Sequence, residues 1–190
     1  MAKSKAKLKA VSSVVEAEPL KIDLGCGQNK KPGFTGIDIA AAPGVDIVHD
    51  LMVMPWPFKN DSVGEVFSSH TIEHFTGPQR VKFMEELWRV MQVGANATFV
   101  FPYYSSSRAI QDPFHAWPPL CEASFLYFNK GWMIANKLDH YNIKCDFDFT
   151  YGYAFSGQLV NRPQEMRDFA IRNYINAVDD LHVTLTKRAG

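Results

Sequence analysis

The chain has 190 residues, 46% of them hydrophobic, enough for one α/β domain with a sizeable core and little else. Its 20 basic and 20 acidic residues cancel, so no global field draws it to nucleic acid or to an anionic membrane. No apolar run approaches the roughly 20 residues that cross a bilayer, and Cys26, Cys121 and Cys145, odd in number and without metal-ligand spacing, point to reduced thiols and a cytoplasmic location.

Residues 1–19 carry Lys3, Lys5, Lys7 and Lys9 without the apolar stretch of a signal peptide, and read as a disordered tail with room for a short helix near 11–18. The structured domain is expected over 20–190. It opens on LKIDLGCGQNKKP, an apolar run (Leu20, Ile22, Leu24) that ends in Gly25-Cys26-Gly27. This is a buried strand entering a glycine turn, where small residues admit a ligand close to the backbone and N–H groups can hold an anion. Asp23 is costly within such a strand unless the turn or a ligand cation partners it.

Residues 34–39 form a second strand, only about seven residues later, where a parallel crossover takes roughly ten or more and a helix. Either the two strands are antiparallel, or the helix has shrunk to a loop; the second reading is preferred, because both strands end in a small or polar residue placed to face a ligand. After a loop at 40–44, residues 45–51 make a third strand ending near Asp50, and residues 63–69 a fourth, with Ser68, Ser69 and His70 at its exit. Thr76-Gly-Pro-Gln79 has the pattern of a capping box with an early proline. It starts a helix over 77–92 with Val81, Met84, Leu87, Trp88 and Met91 on one face, ended by Gly94; the next strand follows at 97–101.

Residues 104–119, broken by Pro113, Pro118 and Pro119, read as a loop, and 122–140 as one or two helices. Alternation at 143–155 marks a strand, 162–174 a helix, and 175–187 a last alternating strand. Alternating elements followed by a late strand pair predict an open, mostly parallel sheet with an antiparallel edge, whose ligands sit beyond the carboxyl ends of the strands. Four such exits carry polar groups: the glycine turn, Asp38, Asp50 and residues 68–70.

The blocks DLGCGQ (23–28), GIDI (36–39), VHDL (48–51), PWPFKNDSVGEVFSSHTIEHF (55–75) and FVFP (99–102) resemble the class I S-adenosylmethionine-dependent methyltransferases, clearly over residues 20–101 and in general plan beyond. The resemblance implies a Rossmann-like three-layer αβα sandwich whose seven-stranded sheet has the order 3-2-1-4-5-7-6, with strand seven antiparallel. It implies S-adenosylmethionine as cofactor: Asp23 and the backbone of Gly25, Cys26, Gly27 and Gln28 at the amino-acid end, and Asp38 on the ribose hydroxyls. Ile39 and Leu51 would lie on the adenine faces, Asp50 at its amine, and Ser68, Ser69 and His70 beside the methionine portion. For Asp38 or Asp50 taken alone, ordinary turn formation is the simpler reading. A nicotinamide site is disfavoured, since no third glycine opens a helix.

Catalytic candidates are His70 and an Asp112–His115 orienter–base pair across Pro113; the alternative is that Asp112 accepts backbone N–H groups in a turn and His115 packs locally. Arg108 is a candidate partner for an acidic substrate group, with solvent exposure as the alternative. His70-x-x-Glu73-His74 spells a zinc-peptidase pattern that would place both histidines on one helix face, but no third ligand is evident and no metal site is expected. His74 and Glu73 are read as capping or packing residues. Pro102-Tyr103-Tyr104 resembles the Pro-Pro-Tyr signature of amino methyltransferases, yet follows the fifth strand rather than the fourth and is discounted. The aromatic residues crowding 103–132 are read mainly as the core of a lid. The expected activity is methyl transfer to an O or N atom of a small molecule, without a nucleic-acid or membrane partner. The alternative is a non-catalytic cofactor-binding or partner module with the same fold, and a third reading is a zinc hydrolase.

Overall fold

A computed structural model describes residues 18–190. The tail expected at 1–19, with its short helix, lies outside the described residues except for Glu18 and Pro19. Seven strands, β1 (Leu20–Leu24), β2 (Thr35–Asp38), β3 (Ile47–Val48), β4 (Val63–Ser69), β5 (Met91–Pro102), β6 (Phe147–Phe155) and β7 (Val178–Lys187), form one sheet of order β3-β2-β1-β4-β5-β7-β6. The first five are mutually parallel, and β7 runs antiparallel to both β5 and β6. This is the order expected from the sequence. The helices α1 (Gly77–Val90), α2 (Arg108–Gln111), α3 (Lys130–Ala135) and α4 (Gln164–Asn173) lie between strands in sequence.

β1 pairs in parallel with β2, and the ten residues between them hold no helix. Two carboxylates organise that loop. Asp23 Oδ2 accepts the Lys31 N–H at 2.7 Å, and Asp38 Oδ2 accepts the Gly27 N–H at 2.9 Å. The shrunken-crossover reading therefore holds, with side-chain acceptors doing what helical hydrogen bonds do elsewhere.

α1 begins as its sequence requires, with the Thr76 N–H donating to Gln79 Oε1 at 2.8 Å. Its end differs from expectation. The helix stops at Val90 and the chain enters β5 directly at Met91, whereas Gly94 (φ 79°) lies inside the strand. There the pairing jumps from Val63↔Met91 to Glu65↔Asn96, a bulge that a left-handed glycine accommodates. The buried face of α1 is also rotated from the expected stripe, with Phe83, Met84, Leu87 and Val90 fully buried and Val81 and Trp88 only partly so.

The 3₁₀ turn Glu122–Phe128, α3 and the 3₁₀ turn Asp139–Tyr141 replace the one or two helices expected over 122–140, and α2 interrupts the loop expected over 104–119. β3 is only two residues long, and β6 starts at Phe147 rather than 143. Among the described residues, no helix is long and apolar enough to cross a membrane.

The segment between β3 and β4 is anchored by Glu86 of α1. Its Oε1 accepts the Trp56 N–H at 2.6 Å, and Arg89 grips both carboxylate oxygens. Burial pushes the Glu86 pKa up, but Arg89 and the Trp56 N–H outweigh it and hold the carboxyl below its usual 4.5. A depressed pKa stabilises the fold above the unfolded value, and that contribution is lost as pH falls through the folded one. The Tm advantage of the wild type over Glu86→Gln is thus expected to be full at pH 7 and to shrink below about pH 4.5. A difference unaffected by pH in thermal melts would contradict this.

Candidate functional site

The site lies at the carboxyl ends of β1, β2 and β4. Gly25 (φ 71°) and Gly27 (φ 49°) turn the chain sharply after β1, and the Gly25 and Cys26 N–H groups both donate to the Ile37 carbonyl, at 2.8 and 3.1 Å. With Gly27 donating to Asp38, three N–H groups expected to face a ligand are engaged within the protein. The turn folds back over the end of β2, so it offers a ligand close approach rather than a row of donors.

Two clefts meet there. One, of about 260 Å³, is lined by Asp38, Ile39, Asp50 and Leu51 on one side and by Thr71, His74 and Phe75 on the other. The second, of about 350 Å³, is lined by Asp23, Cys26, Gly27, Asn29, Phe67 and Ser69. Gly25 and His70 line both, so they mark the junction.

Each carboxylate is held by backbone. Asp38 Oδ1 also accepts from Ala40 N at 3.2 Å, and Asp50 Oδ1 accepts from Met52 N at 2.8 Å. Turn formation and a ligand role are therefore compatible, since an ionised carboxylate offers about four acceptor positions. Asp23 is 2% exposed, and burial raises its pKa against the opposing pull of the Lys31 N–H. Ile39 is exposed over the cleft and Leu51 is buried beneath it, a pair of apolar faces.

Two residues fall outside the clefts. Ser68 is 1% exposed and its hydroxyl donates to the Leu24 carbonyl at 2.9 Å, tying β4 to β1. Gln28 lines neither cleft. Side chains alternate along β4, so Ser69 faces the second cleft while Ser68 turns into the sheet.

His70 has a left-handed backbone (φ 53°), an uncommon conformation for a non-glycine residue, held by its N–H donating to the Val100 carbonyl at 2.8 Å. The adjacent Glu73 carboxylate, 3.3 Å from His70 Nδ1, raises the imidazole pKa above its usual 6.5, against the effect of burial. The turn at His70 also breaks the supposed helix. Only Ile72–His74 is helical, a single 3₁₀ turn, so His70 and His74 do not share a helix face.

The Asp112–His115 pair is close but not hydrogen-bonded, with Oδ2 and Nε2 3.8 Å apart. Asp112 Oδ1 instead accepts the Phe114 N–H at 2.9 Å, and His115 Nδ1 faces the Ala109 carbonyl at 3.1 Å. The turn-and-packing alternative describes both contacts. Arg108 pairs with Asp180 at 2.8 Å, so its acid partner lies within the chain. Of the aromatics, Tyr103, Phe125 and Phe128 are buried, whereas Phe114 and Trp117 are 79% and 80% exposed.

Sequence reading missed Thr71, His74 and Phe75 as lining residues. Their signal was position: they follow directly on a strand exit already recognised as polar. Thr71 packs so closely under the glycine turn that a Cβ at Gly25 would lie 2.1 Å from Thr71 Oγ1. Gly25→Ala therefore combines a steric clash with a left-handed alanine, and should cost at least about 2 kcal/mol, a Tm fall of roughly 4–8 °C. Adding Thr71→Ala should recover part of that loss and not all of it, because the strained φ remains; thermal melts of the two variants check this.

No family model matches the sequence, and no curated protein matches it. Solved structures do match. A SAM-dependent methyltransferase from Archaeoglobus fulgidus superposes with a TM-score of 0.62 at 15% identity, over 89% of this chain and 86% of its own. Geranyl diphosphate C-methyltransferase from Streptomyces coelicolor A3(2), in complex with Mg2+, geranyl diphosphate and S-adenosyl-L-homocysteine, matches at 0.52 and 12% identity, over 90% of this chain and 73% of its own. The [4+2]-cyclase SpnF matches at 0.51 and 13% identity, over 93% of this chain and 78% of its own. In strand order, strand direction and flanking helices, this chain has the Rossmann-like fold of the class I S-adenosylmethionine-dependent methyltransferases.

Proposed function

We propose that residues 20–190 form a methyltransferase domain that uses S-adenosylmethionine and acts on an O or N atom of a small molecule. The observation that carries this reading is the pair of abutting clefts joined at Gly25 and His70. Their lining chemistry fits an elongated ligand with a nucleoside at one end and an amino acid at the other. Asp38 has acceptor capacity for two adjacent ribose hydroxyls, Ile39 and Leu51 offer faces for a purine, and Asp50 offers an acceptor for its amine. Asp23 supplies the negative charge that an ammonium group requires at the far end.

When bound, the cofactor supplies an electrophilic methyl on a sulfonium. The protein's part is alignment, because in-line displacement needs the acceptor atom held behind the methyl carbon with water excluded. For a hydroxyl acceptor, His70 at the junction is the candidate to take the proton. Asp112 and His115 lie in the loop after β5, which this reading assigns to the acceptor side, and neither lines the two clefts.

A second reading, a cofactor-binding protein that does not transfer methyl groups, draws support from the match to a [4+2]-cyclase, since the fold also carries that chemistry. Calorimetric titration with S-adenosylmethionine tests both readings, and no heat at millimolar cofactor would sink them together. Asp38→Ala is expected to bind it about 10- to 100-fold more weakly; undiminished affinity would refute the ribose role. Incorporation of labelled methyl groups into extract metabolites then separates the readings. With a hydroxyl acceptor, His70→Ala should lower kcat by about 100-fold or more, and an unchanged kcat would remove His70 as the base.

A further inference from the structure

We propose that Glu73, His74 and His115 form a binding site for a divalent transition-metal ion of the zinc type, beside the cleft of about 260 Å³ that His74 lines. One ligand atom from each of the three lies within 4.8 Å of the other two. In a tetrahedral zinc site with bonds of about 2.0–2.1 Å, ligand atoms are roughly 3.3 Å apart, so each moves inward by less than about 1 Å to close on an ion. Side-chain rotation supplies a movement of that size.

The buried carboxylate points independently to a cation. Glu73 is 5% exposed, and neither carboxylate oxygen has a hydrogen-bond partner among the described residues. His70 Nδ1 is the near cationic neighbour, 3.3 Å from Oε1. A buried carboxylate that accepts no hydrogen bond is costly even with the His70 imidazole and the Arg80 guanidinium nearby. A metal ion bound by two neutral imidazoles and this carboxylate would remove the cost.

The surroundings are built to hold such a set. His115 Nδ1 faces the Ala109 carbonyl at 3.1 Å, which places the proton there and leaves Nε2 as the ligand nitrogen. The His74 and His115 rings meet edge to face with centroids 4.9 Å apart. The two segments are locked at the backbone, with Ala116 N donating to the Glu73 carbonyl at 2.8 Å. The buried Arg80 guanidinium reaches the carbonyls of Ile72, Glu73, Ala116 and Pro118. Three protein ligands, one of them the exposed His74, leave a coordination position for water or for an acceptor oxygen. The zinc-peptidase pattern in the sequence is thus not the arrangement found. The left-handed backbone at His70 takes it out of the helix register with His74, and the third ligand comes from a loop 41 residues beyond His74.

The test uses full-length protein stripped with a chelator and titrated with ZnCl2 by calorimetry, and with CoCl2 by visible spectroscopy. Expected are one Zn2+ per chain, the visible absorption of four-coordinate Co2+, and affinity at least about tenfold weaker in both His74→Ala and His115→Ala. Zn2+ should also raise the Tm of the wild type more than that of either variant, which verifies that each variant is folded. No binding, or wild-type affinity in either variant, would overturn the site. These readouts need neither cofactor nor acceptor, so they stand apart from the proposed methyl transfer.

Discussion

The geometry at the carboxyl edge of the sheet depends on two buried or half-buried carboxylates that hold a loop where a helix would otherwise stand. Asp23 takes the Lys31 N–H and Asp38 takes the Gly27 N–H, so both ends of the passage from β1 to β2 are tied to strands already fixed in the sheet. Charge-assisted bonds of this kind are stronger than neutral ones, and they replace several helical hydrogen bonds with two. The loop packs further through Lys31, whose ammonium lies 4.6 Å from the Phe34 ring and 4.5 Å from the Phe67 ring. No helix covers the carboxyl end of β1, and the second cleft lies there.

A second constraint governs the opposite wall. Arg80 is buried in α1, and burial lowers its pKa to about 10 against the upward pull of Glu73. Its guanidinium is spent on backbone carbonyls of two segments that are far apart in sequence. This gives the loop after β5 a fixed position against the 3₁₀ turn after β4. Arginine suits the task because its planar fork can donate to several acceptors at once and stays charged. The same fixation brings His115 beside His74 and leaves the Glu73 carboxylate enclosed, so a packing solution also creates a concentration of metal-ligating atoms.

Much of the sheet was legible because strand signals are local. Residues 63–69, the capping box at Thr76 and the alternation toward Lys187 each carry their own periodicity or cap, and the structure places elements there. The polar exits at Asp38, Asp50 and Ser69 were legible for the same reason, since a strand followed by a small or acidic residue announces its end. What failed was non-local. Gly94 looked like a helix stop, yet the bulge it serves exists only because β4 pairs with β5 across it. Ser68 looked like a ligand contact, but side-chain alternation within β4 sends it to Leu24 instead. Arg108 looked free until β7 delivered Asp180.

By itself the sequence determined the fold class, the strand order through a family resemblance, and the carboxylates that face the clefts, because hydrophobic period and turn chemistry act over a few residues. Only the tertiary structure decided which N–H groups of the glycine turn are already engaged, that His70 leaves the helix register, and that Glu73, His74 and His115 converge. The physical reason is shared by all three. Hydrogen bonds accepted by the Ile37 and Val100 carbonyls, and the reach of Arg80 to Pro118, join residues apart in the chain. Such contacts have no period from which they could be read.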